Sequence, residues 1–161
     1  MKRPLLALIT LVCCGLVAAQ TGDKQPSVIM APVSNVQLHA DGSADLALDF
    51  RIDPEFHINS NKPKADYLIP TVLTLNPSEP VMVADIKYPT GEDMSFAFSP
   101  NEKLSVYSGD FSINLVLKAP VNAAAGTYLV SGKLRFQACD RSACYPPRSI
   151  PVQFQVAVIK K

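Results

Sequence analysis

The chain has 161 residues, with 15 Lys and Arg against 14 Asp and Glu, four cysteines and no tryptophan. So even a charge balance leaves no basic footprint for nucleic acid, and the length is enough for one domain whose core needs no disulfides to offset small size. After Gln20 no apolar run approaches the roughly 20 residues that span a bilayer, so the exported chain is expected to be soluble or at most loosely peripheral.

In chain order, Met1 to Ala19 reads as a secretory signal. Lys2 and Arg3 form the positive start, Leu5 to Val17 the apolar core, and Val17-Ala18-Ala19 a small-residue cleavage site before Gln20. The rival is a lipid attachment at Cys13 or Cys14. Val12 and Cys13 are poor residues to precede such a cut, and the apolar stretch runs on past both cysteines. Cleavage after Ala19 leaves 142 residues, 13 cations against 14 anions, and two of the four cysteines. The exported chain then sits where disulfides can form. Gln20 to Ser27 is a polar leader, and one domain is expected from Val28 to Ile159.

Along that domain period two dominates. "ADLALDFRI" sets Leu46, Leu48, Phe50 and Ile52 on one face and Asp45, Asp49 and Arg51 on the other. "DFSINLVLKA" repeats the pattern with Phe111, Ile113, Leu115 and Leu117, and "SIPVQFQVAVI" with Ile150, Val152, Phe154, Val156 and Val158. Further strands are predicted at Val33 to Leu38, Thr71 to Leu75, Val81 to Tyr88 and Thr127 to Gln137, separated by turn signals such as Asp41-Gly42, Asn76-Pro77, Ser108-Gly109 and Ala125-Gly126. Seven or eight short strands without a helical stripe predict an all-β fold, an immunoglobulin-like antiparallel β-sandwich. Two stretches, "NSNKPKADYLIP" and "GEDMSFAFSPNEK", read as loops longer than hairpins need. The second carries Met94, Phe96 and Phe98, either tucked into the end of the sandwich or forming a lid.

Cys139 and Cys144 lie in "CDRSAC", between the strands Thr127 to Gln137 and Ser149 to Val158. With Asp140 to Ala143 as the loop, the two face each other at its mouth and can pair. A bond closing about six residues stabilises by roughly 2 kcal/mol on the chain-entropy model, against more than about 4 kcal/mol for one closing about 60 residues between two sheets. A staple would be better placed elsewhere, yet a secreted domain with two cysteines is commonly stapled. Structure and chemistry both stay open on spacing alone. Arg141 and Arg148 have the sign that lowers a thiolate pKa, although arginine beside a turn is usually solvated. His57 suits either a satisfied strand position or a proton carrier.

"FQACDRSACYPP" closely resembles the cysteine segment of the N-terminal periplasmic domain of the thiol:disulfide interchange protein DsbD, the disulfide-bond corrector family. "EFHINSNKP", "YLIPTVLTL", "IKYPTGE" and "LSVYSGDFSINLVL" resemble that family in its own order, covering most of Val36 to Phe154. The resemblance implies a periplasmic immunoglobulin-like domain whose dithiol relays electrons from a membrane-embedded thiol reductase to oxidised thioredoxin-fold proteins, with no cofactor and no metal. It implies that Cys144 forms the mixed disulfide with a partner and Cys139 resolves it. It also implies an aromatic cap over the pair, here Phe96 or Phe98, with Glu92 and Asp93 as acidic neighbours. His57, Asn59 and Tyr145 are the polar side chains expected near the sulfurs.

The sequence departs from the family's well-known member in three places. Its cap stretch is longer, Phe56, His57 and Asn59 replace a tyrosine-rich strand, and the loop between the cysteines is one residue shorter. That member continues into a membrane conduit and a thioredoxin-like domain, so the donor is expected to be a separate polypeptide. The rival reading is a secreted sandwich with a local structural disulfide that binds a carbohydrate or adhesion partner, or copper through Cys139, Cys144, Met94 and His57.

Overall fold

The computed structural model describes residues 27–160; the signal sequence and all of the polar leader but Ser27 lie outside the described residues. These contain no helix and twelve strands: β1 (Val28–Met30), β2 (Val36–His39), β3 (Gly42–Ile52), β4 (His57–Asn59), β5 (Val72–Pro77), β6 (Met82–Lys87), β7 (Glu92–Phe96), β8 (Ser99–Ser108), β9 (Asp110–Ala119), β10 (Gly126–Phe136), β11 (Ala138–Cys139) and β12 (Arg148–Ile159). They form sheets in the orders β1-β3-β9-β6, β2-β12-β10-β5 and β11-β4-β8-β7.

The first two sheets are the two layers of the sandwich. Period-two alternation puts Leu48, Phe50 and Ile52 of β3, Phe111 to Leu117 at alternate positions of β9, and Val152 to Val158 at alternate positions of β12 into one buried cluster. Leu46 and Ile150, expected inward, are only partly buried and pack at its margin. Apolar area removed from water at about 25 cal/mol per Å² drives the layers together. Pairing is antiparallel except that β2 runs parallel to β12, with Val36 opposite Val156 and His39 opposite Ile159.

The third sheet positions the site, and its strands break the alternation. Leu104, Ser105, Val106 and Tyr107 of β8 are all buried, as are His57, Ile58 and Asn59 of β4. Both faces of this sheet are therefore covered at β4 and at the second half of β8. Ile58, Tyr107 and Ala138 join the main core, whereas Leu104 and Val106 form a separate small cluster with Leu68 and Phe96. Gly109 holds φ at +60° between β8 and β9, where the chain passes from the third sheet to the first. A side chain there would strain the corner that sets the end of β8.

One expectation is corrected. Gly91 to Lys103 is not a long loop: β7 and β8 pair from Glu92 opposite Val106 to Ser95 opposite Lys103, with only Ala97 and Phe98 in the turn. The segment reads as a loop because β7 is an edge strand with four exposed residues, so it lacks the alternation of a half-buried strand. The stretch from Ser60 to Thr71, by contrast, contains no strand.

Candidate redox site

The cysteine hairpin grows out of β10. Phe136 and Ala138 bury their side chains in the main core, so the intervening Gln137 and the following Cys139 point to the opposite face. At Gln137 the chain leaves the sheet of β12 and β5, and β11 pairs instead with β4, Cys139 opposite His57. Cys139 is also opposite Cys144 in an isolated antiparallel bridge, and the two are joined by a disulfide with Cα atoms 3.9 Å apart. Cys139 is fully buried, whereas Cys144 is half-buried and followed by the exposed Pro146 and Pro147.

Asp140 organises the loop between them. Its Oδ1 accepts from the backbone N–H of Ser142 (2.7 Å) and Ala143 (2.8 Å) and from the Ser142 hydroxyl (2.8 Å), while Oδ2 accepts from the Tyr145 hydroxyl (2.7 Å). The Tyr145 hydrogen bond, followed by those from Ser142 and Ala143, holds the Asp140 carboxyl well below the usual carboxylate range. Tyr145 also donates its backbone N–H to Ala138 O (2.8 Å) and sets its ring edge-on to Phe56, centroids 5.7 Å apart. The sulfurs thus sit on a loop fixed from inside.

Directly opposed residues of antiparallel strands share a face. Cys144, Cys139, His57 and Ser108 therefore form one row across the site face. In the adjacent row, Asn59 Nδ2 donates to Ile69 O (3.0 Å) and Gln137 Oε1 (3.1 Å), and Gln137 Nε2 donates to Tyr145 O (3.3 Å). Gln137 Oε1 also accepts from the Ile69 N–H (3.2 Å), tying the Ser60–Thr71 loop to the residue next after Cys144. Among the described residues two buried side-chain polar atoms have no hydrogen-bond partner, Asn59 Oδ1 and His57 Nε2.

Over this face lies an aromatic stack. The Phe96 ring is 4.0 Å from that of His57 at 16° between planes, and the Phe98 ring is 5.3 Å from Phe96 at 13°. A flat hairpin would hold Phe96 two strands away from β4. The register break between Ser95 and Phe96, and the packing of Phe96 on Leu104 and Val106, mark where the tip folds across β8 to reach His57. Phe96 is the buried inner ring and Phe98, 37% exposed, the outer one.

The structure thus brings together Cys139, Cys144, His57, Tyr145 and, through His57, Phe96. Glu92 reaches the His57 row by accepting from the Ser108 hydroxyl (3.1 Å), whereas Asp93 pairs with Lys64 (2.5 Å) across the Ser60–Thr71 loop. Arg141 and Arg148 are exposed. Met94 stands on β7, three strands from β11, opposite Leu104. Among the described residues no group of three or more His, Cys, Asp and Glu side chains could hold a metal ion. Asp140 and Gln137 escape sequence reading as site residues; "DRS", an Asp two residues ahead of a Ser, is the signal of the Asx turn that Asp140 makes. No comparable signal marks Gln137.

Residues 27–155 match the family described as thiol:disulfide interchange protein DsbD, N-terminal. No curated protein sequence matches the chain. Among solved structures, the reduced N-terminal domain of DsbD from Neisseria meningitidis is 17% identical over 69% of this chain and 74% of its own, with a TM-score of 0.42. The N-terminal periplasmic domain of ScsB from Proteus mirabilis is 14% identical, covering 81% of this chain and 46% of its own, with a TM-score of 0.51. This chain therefore spans about half of that ScsB structure. A type I cohesin from Pseudobacteroides cellulosolvens is 14% identical over 84% of this chain and 93% of its own, also with a TM-score of 0.51. The ScsB domain and the cohesin share the sandwich fold with this chain, which by itself implies no common activity.

Proposed function

The chain belongs to the DsbD N-terminal family, and from that premise we propose that it is a periplasmic relay, taking electrons from a membrane-embedded thiol reductase and passing them to oxidised thioredoxin-fold proteins. The observation that carries this reading is the unequal burial of two bonded cysteines on a short loop, one with no exposed surface and one partly exposed at a rim. In the reduced chain the Cys144 thiolate attacks one sulfur of the partner's disulfide, and the partner's other sulfur leaves as a thiolate. Cys139, losing its proton, then attacks Cys144 Sγ and displaces the second partner sulfur. Two electrons have moved, the partner is a dithiol, and the chain holds the Cys139–Cys144 bond, ready for the reductase.

Mixing the fully reduced chain with an oxidised thioredoxin-fold protein and counting alkylatable thiols on each tests this transfer. The chain should lose two thiols and the partner gain two. No exchange with any of several such proteins would return the pair to a structural role.

Phe96 and Phe98 act as the lid, because their stack closes over His57, the cross-strand neighbour of Cys139. Replacing both by alanine should speed alkylation of the reduced pair several-fold. Truncating a buried phenylalanine costs on the order of 3–5 kcal/mol, so Phe98→Ala alone, which removes only the outer ring, should show the same direction at smaller size. Unchanged alkylation in both variants would leave the stack without this role.

A further inference from the structure

We propose that the imidazole of His57 is the proton acceptor for Cys139, taking its thiol proton as that sulfur displaces the partner. The inference rests on the exchange reading above and assigns the one proton that reading leaves without a destination.

Three observations meet at this side chain. His57 is directly opposite Cys139 on the same face, so their Cβ atoms lie about 4.5–5.5 Å apart. Its ring is fixed in that position by the stack on Phe96. Its Nε2 is buried and has no hydrogen-bond partner, in a residue only 5% exposed. A buried polar atom without a partner is costly, on the order of 1–3 kcal/mol, and such atoms recur at redox and catalytic sites. In the disulfide form Cys139 has no S–H to offer. In the dithiol and in the mixed disulfide it has one, which Nε2 of the Nδ1–H tautomer can accept.

The neighbouring bases are already engaged. Both oxygens of Asp140 accept hydrogen bonds from Tyr145, Ser142 and Ala143, and Glu92 accepts from Ser108 on β8. Phe96, which stacks on the ring, is apolar. Burial pushes the His57 pKa down to about 4, while the Asp140 charge acts in the opposite direction, so the ring is neutral and able to accept at neutral pH. As the proton crosses, the imidazolium forms beside the nascent thiolate and near Asp140, and each anion favours it. Cys139 Sγ then bonds to Cys144 Sγ, the partner's sulfur leaves as a thiolate, and the proton passes from His57 to solvent or to that thiolate.

The test is rapid-mixing absorbance of the reduced chain cleaved after Ala19, in excess over dithiobis(nitrobenzoate), an aromatic disulfide, so that no second reagent molecule competes with closure. One nitrothiolate is released when Cys144 attacks and a second when Cys139 closes the disulfide, so the two steps read separately. His57→Phe keeps the ring stack and removes the base; His57→Gln changes the packing differently and also lacks an imidazole. Both should leave the first release within about twofold and slow the second by about 10²-fold, the usual scale of general-base loss. A second release as fast as in the wild type, or both releases slowed alike as packing damage would do, overturns the role of His57. If the wild type itself releases no second nitrothiolate, the exchange reading fails and this proposal falls with it.

Discussion

Cys139→Ala should accumulate a mixed disulfide with a thioredoxin-fold partner, and Cys144→Ala should trap far less. The asymmetry follows from access. In the folded hairpin Cys139 has no exposed surface and lies opposite His57, which stacks on Phe96, while Cys144 is half-buried at a rim continued by the exposed Pro146 and Pro147. Proline lacks an amide donor and holds the chain extended, which leaves that rim unpaired and open to a partner. If exposing Cys139 requires a local opening of even about 1.4 kcal/mol, capture through it falls tenfold. With Cys139 absent nothing displaces a partner bound to Cys144, so the adduct persists. Both variants run against one partner on non-reducing gels decide the matter. Equal trapping would erase the asymmetry, and stronger trapping through Cys139 would reverse the assignment of roles.

Mild acid should destabilise the domain, and His57→Phe should remove most of that effect. The folded pKa of His57, about 4, lies below its ordinary 6.5 because burial disfavours the imidazolium. Between those values the unfolded chain binds the proton and the folded one does not, so stability rises with pH across the window. The contribution is fully present above about 6.5 and is lost as pH falls toward 4, in total on the order of 2–3 kcal/mol. Asp140 acts in the same direction but lower. Its carboxyl is held below 3.8, chiefly by the Tyr145 hydroxyl, so its contribution is lost as pH falls below about 4. Urea unfolding from pH 7 to pH 4 measures the slope. His57→Phe should be nearly flat above pH 4.5, and a slope equal to that of the wild type would place the acid sensitivity elsewhere.

Where one face of a strand meets the core and the other meets water, the sequence announces it. β3, β9 and β12 are such strands, and their alternation alone predicts the sandwich. The hairpin that carries the cysteines is legible for the same reason, since β10 and β12 flank it clearly and leave Asp140 to Ala143 as its loop. The third sheet is harder to read. In "HIN" and "LSVY" consecutive residues are buried because the second face is roofed by the Ser60–Thr71 loop and the hairpin tip, so no period-two signal survives. β7 fails in the opposite way, as an exposed edge. The parallel pairing of β2 with β12 joins segments more than a hundred residues apart and leaves no local mark. The sequence names both phenylalanines as cap candidates, but only the fold of the tip over β8 makes Phe96 the ring that meets His57. Gln137, an unremarked residue between a core phenylalanine and Ala138, becomes the link between the Ser60–Thr71 loop and Tyr145 only when the chain changes sheets there.

In the proposed relay the Cys139–Cys144 bond is made to be broken, and its reduction potential tests that most directly. The chain would be equilibrated with thioredoxin and glutathione buffers of known poise and the dithiol fraction read by alkylation. A relay dithiol should have a potential within reach of such donors, above about −300 mV, whereas a value below about −300 mV, the range of structural disulfides that resist reduction, would contradict that role.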